Sequence, residues 1–100
     1  MIPRGCTCEN SFLFPFDEKE VATLCITYKE DEVIKLQKHL EDCIFKDGRI
    51  YVLLSQEDTL KFNNNAFIKI QIRAKLTDGA ATKSNVMETY TDEVVYDGVI

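Results

Sequence analysis

The stretch FIKIQIRAKL at residues 67–76 decides the fold, because apolar and polar side chains alternate along it without interruption. The even positions from 68 to 76 carry isoleucine, alanine or leucine, whereas the odd positions from 69 to 75 carry lysine, glutamine or arginine. A period of two places all the apolar side chains on one face of a β-strand, whereas a helix would spread them around its circumference. The stretch therefore predicts a long strand with one buried face, which other strands have to cover.

Shorter segments of the chain repeat this alternation and are separated by turn residues. Further strands are predicted at residues 12–16, 21–29, 49–54 and 85–90. Pro15 cannot donate to a ladder and confines the first of these strands to a sheet edge, and Asp-Gly dipeptides at 47–48 and 78–79 mark two of the turns. About seven short strands separated by regularly spaced turns predict an all-β, antiparallel β-sandwich, with a small barrel as the alternative.

Three segments depart from simple alternation. Residues 33–43 have apolar positions that fit either a helix or a strand, and the polar turn before them favours the strand. Residues 55–60 predict one short helical turn, because Ser55 can cap it and Asp58 follows three residues later, close to a capping box. Leu60 and Phe62 are expected to attach this corner to the core. The tail at residues 91–100 fits a strand or a short helix.

Length and composition indicate one folded domain. One hundred residues with a 45% hydrophobic share can form one core, so the chain is not disordered by composition. Residues 1–10 contain Pro3, Gly5 and small polar groups, which predicts a flexible N-terminal arm ahead of a single β-sandwich domain at residues 11–100.

Charge and hydropathy exclude several classes of partner. The net charge is −5 and the cations show no cluster along the sequence, so nucleic acid is not an expected partner. No apolar run approaches the roughly 20 residues of a membrane span, so no membrane partner is expected. The first residues have no apolar signal region, which predicts synthesis in the cytoplasm and four free cysteine thiols.

The sequence offers no catalytic or metal-binding signature. Cys6 and Cys8 have the only metal-like spacing, but a closed zinc site needs four ligands, and Cys25, His39 and Cys43 lie far apart. His39 is the only histidine, and no partner that would make it a general base can be assigned. We therefore expect no enzymatic activity, no metal and no cofactor.

Three blocks of sequence resemble a known class of proteins: RGCTCENSFLFPFD at 4–17, DCIFKDGRIYVLLSQEDTLKF at 42–62 and IKIQIRAKLTDG at 68–79. Together they resemble short virion-associated structural proteins encoded by phages and prophages of Gram-positive bacteria, in order over nearly the whole chain. Residues 6 and 8 depart from that pattern. The turn at 57–59 is similar to the one before the tyrosine corner of immunoglobulin domains, so the expected sandwich is immunoglobulin-like.

The resemblance implies a non-enzymatic structural or assembly protein of the tail, neck or baseplate region. Its expected location is the virion, and the bacterial host cytoplasm during assembly. The expected partners are other virion proteins or further copies of the chain, which would form a homo-oligomer. An arm that pairs with a sheet edge would provide the contact. The arm residues are Arg4, Gly5, Cys6, Thr7 and Cys8.

The alternative hypothesis is a small binding module on a phage tail, with carbohydrate as its ligand. Such a module needs a concave aromatic face, and tryptophan is absent from the chain. Tyr28, Tyr51 and Tyr90 are the candidates for that face.

Overall fold

The computed structural model describes all residues from 1 to 100 and contains two antiparallel sheets packed against each other. The strands are β1 (Cys8–Leu13), β2 (Val21–Glu30), β3 (Val33–His39), β4 (Cys43–Lys46), β5 (Arg49–Leu54), β6 (Phe67–Leu76), β7 (Ala81–Lys83) and β8 (Met87–Tyr90). The α-helix α1 (Gln56–Leu60) and two 3-10 helices, Glu18–Glu20 and Leu40–Asp42, complete the elements. The predicted all-β sandwich is confirmed. None of the helical segments has the length and apolar character needed to cross a membrane.

The strand order divides the chain between the two sheets. The smaller sheet has the order β1-β5-β4, and the larger has the order β3-β2-β6, with β7 and β8 pairing with opposite halves of β6 on its far side. In an immunoglobulin domain the first two strands share one sheet. Here β1 pairs with β5 while β2 pairs with β3 and β6, so the likeness at residues 57–59 does not extend to the strand order.

The core lies between the sheets and is built by the alternating strands. In β6 the side chains of Ile68, Ile70 and Ile72 are at most 5% exposed, as the alternation predicted. Each such buried aliphatic side chain contributes about 1.5–3 kcal/mol relative to an exposed one. The neighbouring strand β2 adds Leu24, Ile26 and Tyr28 to this layer, and β5 of the smaller sheet supplies the opposing layer with Ile50, Val52 and Leu54.

The Asp47-Gly48 turn joins β4 to β5 as a two-residue hairpin. Both residues have left-handed backbone angles, with φ of 52° at Asp47 and 72° at Gly48. Positive φ at both central positions defines the type I′ turn, whose twist matches that of the flanking strands. The turn thus fixes the register that pairs Lys46 with Arg49 and Ile44 with Tyr51.

The structure corrects several boundaries. The strand favoured within 33–43 is present, but it ends at His39 and a 3-10 turn follows. The strand expected at 12–16 begins earlier, at Cys8, and ends at Leu13 before Pro15, although it does lie at a sheet edge. Strand β7 is not among the strands that the sequence predicted. The tail forms no helix or strand, apart from an isolated bridge between Thr91 and Ile2.

Candidate interaction surfaces

The N-terminal segment packs against the end of α1 through Arg4, which is only 7% exposed. Arg4 Nε donates to the carbonyl oxygen of Phe62 at 2.6 Å, and a second guanidinium nitrogen donates to the carbonyl oxygen of Leu60 at 3.4 Å. The third guanidinium nitrogen, Nη1, donates to the side-chain oxygens of Asn64 and Asp97. Carbonyls at a helix C-terminus lack partners within the helix. Arg4 therefore supplies hydrogen-bond donors to the carbonyl oxygens at and just beyond the end of α1, and it also binds the C-terminal segment through Asp97.

The backbone next to Arg4 is fixed as well. The amide of Gly5 donates to Thr59 Oγ1 at 3.0 Å, and the Thr59 hydroxyl donates to the carbonyl oxygen of Cys6 at 3.0 Å. Ile2 is 1% exposed, and its amide donates to the carbonyl oxygen of Tyr90 at 2.7 Å.

Residues 1–10 are therefore not the free arm that the sequence predicted. Cys8 starts β1 and already pairs with Leu54, so it is not part of a free arm that could pair with another chain. Only Cys6 and Thr7 of the five arm residues have exposed side chains, whereas Arg4 is buried and Gly5 and Cys8 are half-buried. The sequence contains no local sign of this packing, because the acceptors of Arg4 lie more than fifty residues away.

The predicted corner forms with the expected capping box. The amide of Asp58 donates to Ser55 Oγ at 3.1 Å, and the amide of Ser55 donates to Asp58 Oδ2 at 2.9 Å. Lys38 of β3 places its ammonium 2.8 Å from Asp58 Oδ2. Burial raises the pKa of Asp58, but the hydrogen bonds from Lys38 and Ser55 outweigh burial and hold it below its ordinary value. The carboxylate therefore ties the corner to the larger sheet.

Apolar contacts complete the corner. Phe62 is 1% exposed and its ring lies 6.0 Å from that of Tyr28, centroid to centroid, while Leu60 is half-buried. The four corner residues thus lie together, and the residues of the N-terminal segment pack directly onto them. No local pattern in the sequence indicates that the N-terminal segment contacts this corner.

The buried carboxylate of Glu30, which the sequence did not indicate, binds the loop at Asn63. Glu30 is 3% exposed, and its carboxylate accepts from both the backbone and the side-chain amide of Asn63. Thr91 Oγ1 donates to the carbonyl oxygen of Asn63 at 2.6 Å and accepts from the amide of Ala66 at 2.8 Å. Every buried side-chain nitrogen and oxygen in the structure has a hydrogen-bond partner. These interior polar groups are all engaged in holding the fold.

The cysteines and His39 do not assemble into one site. All four cysteines are free thiols, as expected. Burial raises the pKa of Cys8 and raises that of Cys43 to about 11, so both stay protonated at neutral pH and are weak nucleophiles and ligands. His39 instead lies beside Glu41 and Asp42, all exposed, and its backbone amide donates to Asp42 Oδ2 at 2.9 Å. That arrangement is a capped turn.

The three candidate tyrosines for a sugar-binding face are not brought together. Tyr28 is fully buried and donates its hydroxyl to Asn10 Oδ1 at 2.6 Å. Tyr51 lies on the smaller sheet, whereas Tyr90 lies on the larger one, where its ring packs against that of Phe67 at 5.3 Å. The aromatic face that the carbohydrate hypothesis required is therefore not formed by these residues.

The outward side of the larger sheet is positively charged, and we call it the basic face. The outward positions of β2, β6 and β7 carry the cations Lys29, Lys69, Arg73, Lys75 and Lys83. Glu32 and Glu88 are the carboxylates beside them, so this face is net positive although the chain carries −5. The sequence had shown these cations only as scattered residues.

Cations on the basic face lie directly opposite one another. The register pairs Lys29 with Lys69 and Arg73 with Lys83. Glu32 lies 3.1 Å from Lys29, but the salt bridges of the structure include none to Arg73, Lys75 or Lys83. Like charges that face each other across strands destabilise a sheet, on the scale of roughly 0.2–1 kcal/mol for such pairs.

A shallow depression adjoins the unpaired cations. It has a volume of about 410 Å³, and Arg73, Lys75, Cys25 and His39 contribute to its lining. The basic face is thus slightly concave at the end where its positive charge is not neutralised.

Comparisons with protein-family models, with curated proteins and with solved structures gave no match to this chain.

Proposed function

We propose that the chain is a non-enzymatic structural or assembly protein of a phage particle, and that its basic face binds an acidic surface of another virion protein. The resemblance of three sequence blocks to virion-associated proteins supports the phage context. The observation that carries the binding role is the position of Arg73 opposite Lys83, with no carboxylate of the chain paired to either.

The energetic argument rests on charge. An unneutralised pair of cations costs stability in the free protein, whereas carboxylates of a partner would turn the same pair into an attractive contact. Along β6, alternate residues stand roughly 6.8 Å apart, so Lys69, Arg73 and Lys75 form an extended row. Such a row steers an acidic partner during encounter and fixes its orientation.

Mass spectrometry of purified particles tests the virion role. A lysogen that encodes the chain is induced, the particles are banded by density, and peptides are quantified against those of the major tail proteins. We expect peptides of this chain at a constant ratio to the tail proteins across independent preparations. Particles that contain none of these peptides would contradict a structural role in the virion.

A pair of lysine reversals tests the basic face in the same particles. Lys83→Glu changes the basic face, whereas Lys19→Glu makes the same charge change in the exposed 3-10 turn at residues 18–20. We expect Lys83→Glu to lower incorporation by about tenfold, which corresponds to about 1.4 kcal/mol, and Lys19→Glu to leave it unchanged. Equal incorporation of both variants would show that the basic face is not the contact.

A further inference from the structure

The outward side of the smaller sheet exposes a group of large apolar side chains, which we call the apolar face. Leu13, Ile44 and Leu53 are 76%, 66% and 62% exposed, and Tyr51 is half-buried among them. Strand register places Ile44 directly beside Tyr51, and Leu53 lies two residues further along β5. Leu13 stands at the edge of this face, beside Arg49. Isolated exposed apolar residues are ordinary, but adjoining ones such as Ile44, Tyr51 and Leu53 mark an interaction surface on this face.

The charges on the apolar face are separated along the strands. At one end, Arg49 and Lys46 are register neighbours on β5 and β4. At the other end, Glu9 is the register neighbour of Leu53. Tyr51 lies midway between the two ends, with uncharged Ser11 and Ile44 as its neighbours. The face therefore runs from positive through apolar to negative.

We infer that the apolar face binds the same face of a second copy of the chain and forms a two-fold symmetric dimer. Two sheets can stack face to face about an axis that runs either along the strands or across them. An axis along the strands would place each charged end of one copy on the same end of the other copy, so like charges would meet. An axis across the strands places the end with Arg49 and Lys46 on the end with Glu9, so charge selects this antiparallel arrangement.

The same symmetry places Tyr51 at the centre of the contact. A two-fold interface uses one patch on both subunits, so residues on the axis meet their own copies. Tyrosine is frequent among the residues that dominate binding at the centre of interfaces. The surrounding apolar side chains of Leu13, Ile44 and Leu53 would pack between two sheets roughly 10 Å apart. This dimer uses a surface separate from the basic face and does not depend on incorporation into particles.

Sedimentation equilibrium of the full chain tests the dimer. We expect the apparent mass to rise from that of one copy to that of two as the protein concentration increases from about 10 µM to about 1 mM, a range that covers weak association. Ile44→Lys on the apolar face should remove this rise, whereas Ile34→Lys, a matched change at a residue 55% exposed on β3, should not. A monomer throughout the range, or equal dimerisation of both variants, would overturn the inference.

A charge exchange tests the antiparallel arrangement and does not rely on apolar substitutions. In the dimer, Glu9 of one copy lies diagonally across from Arg49 of the other, so Glu9→Arg and Arg49→Glu each bring like charges together twice and should weaken association about tenfold. The double variant restores opposite charges and should return the dissociation constant to within about threefold of that of the wild type. If the double variant dimerises no better than either single variant, the proposed stacking is wrong. Circular dichroism of each variant verifies that the sheets are retained.

Discussion

Arg4 Nε lies 2.6 Å from the carbonyl oxygen of Phe62, and this buried bond joins residues 58 positions apart. The same guanidinium bonds Leu60, Asn64 and Asp97, so one side chain connects the N-terminal segment, the end of α1 and the C-terminal segment. A planar guanidinium offers five donors in a fixed arrangement, which an ammonium cannot reproduce.

Arg4→Lys keeps the positive charge and tests that geometry. The lysine cannot reach all four acceptors, so buried carbonyls lose their partners, and we expect a loss of about 2 kcal/mol in the free energy of unfolding. Urea denaturation measures the loss, with Arg73→Lys at an exposed position of β6 as the matched control, expected to change stability by less than about 0.5 kcal/mol. Equal effects of the two substitutions would contradict the role assigned to Arg4.

Asp58 makes stability depend on acidity. Its pKa in the folded protein lies below the ordinary value, so its contribution is present above the unfolded pKa of about 3.9 and is lost as pH falls through the folded pKa. Asp58→Asn should cost about 2 kcal/mol at neutral pH, because the charge-assisted bonds to Lys38 and Ser55 are lost. The variant should also lose less further stability than the wild type below pH about 4.

Urea denaturation of both proteins from neutral pH to strongly acidic pH provides the comparison. Asp31→Asn, in the exposed turn between β2 and β3, serves as the control and should show the full acid loss of the wild type. A parallel fall of stability in the wild type and in Asp58→Asn would show that Asp58 does not contribute to the acid sensitivity.

Lys83→Glu should stabilise the isolated protein even though we expect it to impair incorporation into particles. The substitution converts the like-charged pair with Arg73 into an opposite pair, which is expected to raise the free energy of unfolding by about 0.5 kcal/mol. Thermal unfolding at low salt measures the gain, which should shrink as salt screens the exposed charges. A destabilised variant at low salt would show that the Arg73–Lys83 pair is not strained in the free protein.

Features that depend on residues close in sequence were predictable. The alternation of β6 and β5, the hairpin turn at Asp47-Gly48 and the box between Ser55 and Asp58 each involve neighbours within a few positions. The apolar period, the positive φ that glycine accepts and the capping geometry are local physics, so a single sequence contains them.

Features that depend on strand order were not predictable. Lys29, Arg73 and Lys83 share a face only because β2 and β7 flank β6, which no local pattern indicates. Strand β7 has three residues, Ala-Thr-Lys, which is too short for a period to be recognised. Likewise, Arg4 resembled part of a polar arm because its acceptors come from distant turns.

The pairing of Ile2 with residues near the far end of the chain has a consequence for biosynthesis. Ile2 donates to the carbonyl oxygen of Tyr90, and the amide of Arg4 donates to Asp92 Oδ1, 88 positions later. On the ribosome Ile2 and Arg4 have no docking site until Tyr90 and Asp92, each 88 positions later, have emerged. Strands β1 to β7 are synthesised before residue 90 and can pair first, so attachment of the N-terminal segment follows their pairing.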